Sequence, residues 1–458
     1  MKKYDVVVIG SGAALSIVNN ALQHGLSTAL IDRGPLGGTC LNVGCIPSKM
    51  IIYPADRVVE IKGAARIGIT AEISAIDFSG IMDRMRKTVA EGESHIRESI
   101  RLSEDLDFYE GQGFFTGDHT LEVNGEKLRG EKIFIATGAR PHVPEIPGIE
   151  KIECLTNETI LLLREQPESI VILGGGYIAA EYAHFFDAMG TRVIMIQKNR
   201  RLLPDEEPEV SELLEKRLGR RMKVLTDTEV TSVRKSGGGY EVTSRARSTG
   251  KEKKFQASKI LAATGRTSNA DILKVRASGI STDERNFITV NEYFETSSKG
   301  IWAFGDALGR KMFRHAANRQ ATIVWHNALH DGRGTFDFSV VPHAVFTSPE
   351  IASVGITEEE ARRKYHPGDL LIGKAVYSDV ARGEAMMEDE AFGKAIVTRK
   401  DGKILGFHII GPSASILIQE VVLAMSHGMS IWDLDRGMHI HPALSELVIA
   451  TFGRLKAP

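Results

Sequence analysis

Residues 4–32 read "YDVVVIGSGAALSIVNNALQHGLSTALID", the pattern of a strand, a glycine turn, a helix and a second strand. Gly10 and Gly12 let such a turn approach a pyrophosphate, whose charge rests on the positive end of the following helix. Asp32 closes the second strand 20 residues beyond Gly12, where a carboxylate can accept both hydrogen bonds of an adenosine ribose. Residues 169–197, "SIVILGGGYIAAEYAHFFDAMGTRVIMIQ", repeat the design. Gly174, Gly176 and Ala179 hold the turn positions, with Tyr177 opening the helix. One glycine turn is a weak signal, but two complete strand-turn-helix-strand units predict two dinucleotide sites in an α/β chain. The other reading of the same glycines is tight turning in an ordinary α/β sheet.

The second unit lacks an acid where Asp32 stands in the first. Its strand runs out into Gln197, Lys198, Asn199, Arg200 and Arg201. Amide and basic groups remove the repulsion that a ribose 2′-phosphate would meet, so this site leans towards NADPH over NADH. A solvated basic turn in an NADH enzyme is the alternative. Two short stretches, "IFIATGARP" (133–141, with Thr137 and Gly138) and "ILAATGRTSNADI" (260–272, with Gly265), resemble each other and are expected to end the two nucleotide units. "GIWAFGDA" (300–307) is an apolar strand followed by Asp306. From about residue 336 the chain carries strand-like runs and amphipathic helices without a phosphate-binding turn, which suits an assembly domain.

The chain has 458 residues, too many for one core. Its 57 basic and 59 acidic residues balance, so neither nucleic acid nor a membrane surface is indicated as partner. The N-terminal apolar run is short and broken by glycine, and reads as a strand and not a signal peptide. No stretch reaches the roughly 18 to 20 apolar residues of a spanning helix, and a cytoplasmic location is expected.

Two of only three cysteines lie in "GGTCLNVGCIPSKM" (37–50), a glycine-rich loop one step after Asp32. A staple between Cys40 and Cys45 would close a very small loop, with little entropic gain. A closed zinc site wants four ligands, and no second Cys/His pair stands at ligand spacing, so no metal is expected. A redox-active pair beside the first nucleotide is the remaining reading, since a flavin can pass two electrons to sulfur. Cys154 stands alone and is read as a small buried residue.

This loop, both nucleotide motifs, "GIWAFGDA" and the C-terminal "HIHPALSE" (439–446) resemble the flavoprotein disulfide reductases from end to end. That family includes dihydrolipoyl dehydrogenase, glutathione reductase, mycothione reductase and mercuric reductase. "HAVFTSPEIASVGIT", "SDVARGEAMME" and "SASILIQEVVLAMSHG" are most similar to the mycothione reductase branch. The resemblance implies a glutathione reductase-like α/β fold: two Rossmann-like dinucleotide-binding domains and a C-terminal α+β dimerisation domain. It divides the chain into an FAD domain (1–148), an NAD(P) domain (149–270), a central domain completing the FAD site (271–336) and an interface domain (337–458).

It also implies roles. FAD would lie on Gly10, Gly12, Asp32, Gly38, Thr39, Thr137, Gly138 and Asp306, with His315 in "FRHAAN" passing close by. Cys45 would be the thiol against the flavin, in charge-transfer contact with it, and Cys40 the interchange thiol facing substrate. Lys49 would sit near the flavin and pair with Glu181. Tyr177 would be the lid that nicotinamide displaces, with the nucleotide on Gly174, Gly176, Ala179, Gln197, Lys198, Arg200 and Gly265.

Exchange needs Cys40 as a thiolate and a proton donor for the departing sulfur. His441 matches the family's His-Pro motif, and Glu446 would orient its imidazole. His439 has no comparable warrant. In the family this histidine reaches across from the partner subunit, so a homodimer with two shared active sites is expected.

The substrate is expected to be a small disulfide or dithiol: dihydrolipoamide, free or on a lipoyl carrier protein, or a symmetric low-molecular-weight disulfide of the mycothione type. Mercuric reductase and the large thioredoxin reductases fit less well, since the chain ends "TFGRLKAP" without further cysteines and starts at the first strand. Leu15 departs from the pattern, because Gly or Ala is usual where helix and strand pack so closely. A non-catalytic FAD-binding redox sensor or complex subunit is the alternative from another class; it leaves Lys49, Glu181, His441 and Glu446 unexplained.

Overall fold

Val6, Val7 and Val8 are wholly buried because their strand runs through a parallel sheet covered on both faces, the setting that favours a continuous apolar run. In the computed structural model, which describes residues 1–330 and 332–458, the strand Lys2–Ile9 lies parallel to both Thr28–Asp32 and Glu126–Ile135. Leu106–Glu110 extends the sheet beyond Thr28–Asp32, and Ile301–Ala303 pairs in parallel with Glu126–Ile135. These strands belong to a unit formed by Met1–Met50, Met82–His142 and Gly265–Phe338. In its core, Phe134 stacks on Trp302 at 5.5 Å and meets Trp325 of the helix Arg314–His330 at 6.2 Å.

The helix Leu15–Gln23 buries Ile17, Val18 and Ala21 in the same core. The unusual Leu15 is accommodated on its flank, half-buried, while Ala14 just before it is fully buried. The stretches ending "ARP" and "RTS" pair with each other, Ala139–Pro141 running antiparallel to Arg266–Ser268.

The cysteine stretch differs from the expected loop. Gly38–Asn42 is a short helix, and a second helix, Cys45–Gly63, begins at the second cysteine. Gly44 lies in the break between them, where a Cβ would come within 2.8 Å of the Thr39 carbonyl oxygen. The glycines therefore serve a tight helix-to-helix passage instead of an open loop.

The second unit comprises Ile51–Ile81, Val143–Thr264 and Ser339–Pro458. It holds a parallel sheet in the order Lys223–Leu225, Arg192–Ile196, Ser169–Leu173, Lys259–Ala262. An antiparallel meander, Thr228–Ser236, Gly239–Ala246 and Glu252–Ala257, accompanies it. The C-terminal part is a five-stranded antiparallel sheet, His343–Val345, Ile351–Gly355, Ile404–Ile410, Phe392–Thr398 and Leu370–Val376. The helices Gln419–Ser426 and Glu446–Phe452 pack on it through Val421, Ala424, Leu447 and Val448. Among the described residues, no helix is long and apolar enough to cross a membrane.

Phe407 is fully buried in this last sheet, with its ring 5.2 Å from that of Phe452. Phe407→Ala is expected to destabilise the protein by about 3–5 kcal/mol through the lost apolar burial and the cavity left behind. Denaturant unfolding checks the value, and a loss below about 1 kcal/mol would mean that the site collapses onto the gap.

Candidate active site

In the first unit the glycine turn is shaped by what its residues lack. Gly10 has φ of 105°, and a Cβ there would lie 2.4 Å from the Ala136 carbonyl oxygen. Across the turn, a Cβ on Gly38 would lie 2.9 Å from Gly12 Cα, so the helix that carries Cys40 rests directly on the turn. Asp32 ties the two together, accepting hydrogen bonds from the backbone N–H groups of Ser11 at 2.6 Å and Gly34 at 2.7 Å. Ser11 Oγ in turn accepts from Gly37 N at 2.9 Å. Thr39 is the second residue of the short helix.

Two buried polar groups face no adequate protein partner in this unit. Thr137 Oγ1, next to Gly138, is buried without a hydrogen bond. Asp306 is largely buried, which raises its pKa, and Arg266 Nε at 3.6 Å opposes that rise only in part. His315 is exposed and its ring lies parallel to that of Phe313, centroids 5.6 Å apart.

Cys40 and Cys45 are both free thiols, and they are chemically unequal. A hydrogen bond with Cys40 is the main cause that brings Cys45 down to about 7; burial opposes it and the Lys49 ammonium assists. The same hydrogen bond, reinforced by burial, pushes Cys40 well above the ordinary thiol range. The proton of the pair therefore sits on Cys40 and the negative charge on Cys45. Lys49 Nζ donates to Ser48 Oγ at 3.3 Å, one turn into the helix that Cys45 begins. Arg314 adds a second cation whose field lowers both thiols, and Asn318 Oδ1 accepts from its Nε at 2.9 Å. The sequence reading missed Arg314, although it stands beside His315 at the start of a helix, where a basic residue is out of place for the helix dipole.

The second unit repeats the glycine geometry. Gly174 has φ of 116°, and a Cβ there would meet the Ala263 carbonyl oxygen at 2.2 Å. Gly176 caps the helix Tyr177–Met189 in extended conformation, Tyr177 is 38% exposed and Ala179 is fully buried. Gln197 is buried against Gly175, whereas Lys198 and Arg200 are exposed. Arg201 is engaged by Glu359 at 3.4 Å. Gly265, expected with this site, falls in the first unit with φ of 114°. Glu181 is buried and accepts from Phe346 N at 3.1 Å. Lys49 belongs to the first unit and Glu181 to the second.

Near the C-terminus, His441 Nδ1 lies 2.8 Å from Glu446 Oε1, while Ala443 N donates to Glu446 Oε2 at 3.0 Å. The His441 contact, followed by the backbone hydrogen bond, lowers the Glu446 pKa. Glu446 thus fixes the imidazole through Nδ1, and the His441 side chain is 73% exposed. His439 has its own partner, Glu420, at 2.8 Å. Cys154 is half-buried, and burial raises it to about 11. Glu207, Glu209 and Glu358 gather closely enough to hold a cation, and that cation is the Lys394 ammonium, 2.6 to 2.7 Å from each.

Residues 4–321 match the pyridine nucleotide-disulphide oxidoreductase family and residues 341–451 its dimerisation domain. Mycothione reductase of Mycobacterium tuberculosis is 35% identical over 460 aligned positions, covering 98% of each chain. Dihydrolipoyl dehydrogenase of Thermus scotoductus is 32% identical, over 97% of this chain and 96% of that one. Among solved structures, the Cu(II) complex of the HOCl-induced flavoprotein disulfide reductase RclA of Escherichia coli is similar with a TM-score of 0.88 at 27% identity, over 99% of both chains. The chain belongs to the pyridine nucleotide-disulphide oxidoreductase family, and is a flavoprotein disulfide oxidoreductase with a glutathione reductase-like fold and a dimerisation domain.

Proposed function

We propose that this enzyme reduces a symmetric low-molecular-weight disulfide of the mycothione type with NADPH, through Cys40 and Cys45. The unequal pair of sulfurs carries the reading, because a thiolate and a thiol in one hydrogen bond are the two roles that disulfide exchange requires.

FAD fits the first unit: glycine at 10 and 12 lets a pyrophosphate approach the turn's backbone, Thr137 Oγ1 is buried without a hydrogen bond, and Asp306 is a buried carboxylate that Arg266 offsets only in part. Gly10, Gly12, Asp32, Gly38, Thr39, Thr137, Gly138, Asp306 and His315 would hold it there. When bound, FAD supplies the two-electron link between nicotinamide and disulfide. Lys49 would stand at this link as a cation, and Tyr177 would meet the nicotinamide in the second unit.

In the dithiol form, Cys45 holds the charge and Cys40 the proton. His441 of the partner subunit, oriented by Glu446, takes the Cys40 proton. The Cys40 thiolate then attacks one substrate sulfur, forming a mixed disulfide. The departing substrate thiolate receives the proton back from His441. Cys45 attacks the Cys40 sulfur and releases the second substrate thiolate, which takes a proton from solvent, leaving the Cys40–Cys45 disulfide. Two electrons have moved from the dithiol to the substrate. The homodimer is part of this reading, since each site draws its acid-base group from the neighbouring chain.

Gln197, Lys198 and Arg200 support NADPH. No carboxylate occupies the position of Gln197, and Lys198 and Arg200 are exposed cations beside it. Identity also leans this way, 35% to mycothione reductase against 32% to dihydrolipoyl dehydrogenase. Gly174, Gly176, Ala179 and Gly265 complete the nucleotide's backbone cradle.

Four outcomes are expected. In the reduced enzyme, thiolate absorbance rises with a midpoint near 7, below the roughly 8.5 of a free cysteine. Cys40→Ala shifts that midpoint upwards by removing the donor, and an unchanged midpoint would contradict the hydrogen-bonded pair. His441→Gln slows disulfide turnover about 10²- to 10⁴-fold while nicotinamide reduces the flavin at an undiminished rate; equal loss of both half-reactions would count against His441 as the acid-base group. In a panel of lipoamide, lipoyl protein, mycothione and other small disulfides, NADPH with mycothione-type disulfide gives the highest kcat/KM. Replacing Lys198 and Arg200 by serine costs NADPH about tenfold per cation, the worth of one charged hydrogen bond, and spares NADH. Strong turnover of dihydrolipoamide with NAD alone would overturn both the substrate and the nucleotide.

A further inference from the structure

The segment that follows the basic turn of the second unit is held more firmly than packing alone requires. Leu203 has φ of 45°, a left-handed conformation in which a residue with a Cβ is strained. Its backbone N–H donates to the Gly175 carbonyl, in the middle of the glycine turn, at 2.7 Å. Its own carbonyl accepts from Glu206 N at 2.9 Å and from Ser211 Oγ at 3.0 Å. Gly175 is packed on another side by Gln197, since a Cβ on Gly175 would lie 2.8 Å from Gln197 Cγ. The turn is therefore gripped by both ends of the segment 197–203.

Two adjacent buried carboxylates anchor that segment. Glu206 accepts from Ser353 Oγ at 2.6 Å and is paired with His343. Glu207, only 1% exposed, accepts from Lys394 Nζ at 2.7 Å and from Glu358 N at 2.8 Å. Lys394, on the strand Phe392–Thr398, spends its remaining donors on Glu209 and Glu358, each at 2.6 Å. Burial would lower the Lys394 pKa, but the three carboxylates outweigh it and raise the pKa above that of an ordinary lysine. An ammonium has three donors, so the knot is closed and offers nothing to a ligand. It can act only through the segment it anchors, in which the residue before Glu207, Glu206, donates its N–H to the carbonyl of the strained Leu203.

We propose that Lys394 and Glu207 are positioning residues for the nicotinamide nucleotide: their buried ion pair keeps Leu203 in its strained conformation and so fixes the Gly174–Gly176 turn and the basic segment Lys198–Arg201 against the nucleotide's phosphates. This rests on the assignment of the nucleotide to the second unit under Proposed function.

The test uses the full-length, FAD-loaded enzyme carrying Lys394→Met, Lys394→Arg or Glu207→Gln. Calorimetric binding of NADP+ is measured alongside KM for NADPH and for the disulfide, kcat and the thermal midpoint. For Lys394→Met and Glu207→Gln, Kd for NADP+ and KM for NADPH rise about tenfold while kcat and the disulfide KM stay within about twofold, the signature of lost nucleotide binding. Lys394→Arg recovers most of the affinity, because the charge and its donors are kept. Ser211→Ala, which removes one hydrogen bond to the Leu203 carbonyl and leaves the ion pair intact, shows a smaller rise in the same two constants. It carries the test should Lys394→Met fail to fold. Unchanged nucleotide constants in Glu207→Gln and Ser211→Ala, with only the thermal midpoint lowered, would overturn the proposal, as would equal loss in every kinetic constant. Wild-type enzyme that binds neither NADP+ nor NAD+ would overturn the nucleotide assignment itself, and the proposal with it.

Discussion

A carbonyl oxygen stands where a side chain would otherwise be. A Cβ on Gly10 would lie 2.4 Å from the Ala136 oxygen, and one on Gly174 would lie 2.2 Å from the Ala263 oxygen. Both contacts occur where a parallel strand passes into a helix, and both need a backbone conformation that L side chains rarely adopt. Any other residue would push the turn away from the neighbouring strand. Because Gly38 also packs on Gly12 without a side chain on either, the same constraint sets the height at which the cysteine helix lies over the first turn. The cysteine pair is thus placed by contacts between backbones.

Once placed, the two sulfurs differ through a local electrostatic arrangement. A single hydrogen bond raises one thiol and lowers the other, while burial raises both. Two cations, Lys49 and Arg314, bias the pair towards negative charge, and Lys49 acts on Cys45. The His441–Glu446 pair has a geometry complete within its own segment.

The second unit uses buried charge differently. Lys394 and its three carboxylates sit on elements far apart in sequence, and Glu206 with His343, Ser353 and His408 continues the network. Buried ion pairs contribute little net stability relative to apolar packing, because desolvation offsets the Coulomb attraction. Their directional hydrogen bonds instead select one arrangement of the segments they join. That distinction suits a place where a strained Leu203 must be kept in register with a glycine turn.

Much of the architecture was legible in the chain itself. The apolar runs ending at Ile9, Asp32, Leu173 and Ile196 fall on strands because fully buried parallel strands need continuous hydrophobic residues, and the glycines between strand and helix mark their own unusual torsions. The spacing of Cys40 and Cys45 and the His441-Pro442 sequence are local signals of the same kind. The helical form of the cysteine stretch was hidden, since its glycines read as loop until their contacts with Thr39 and Gly12 are seen. So were the cation Arg314, the closed knot at Lys394 and the strain at Leu203. Each of these depends on residues brought together from distant segments, and the Coulomb and hydrogen-bond energies that define them vary with separation in space. The sequence by itself determined which residues can turn, bury or react; only the tertiary structure decided which charges meet.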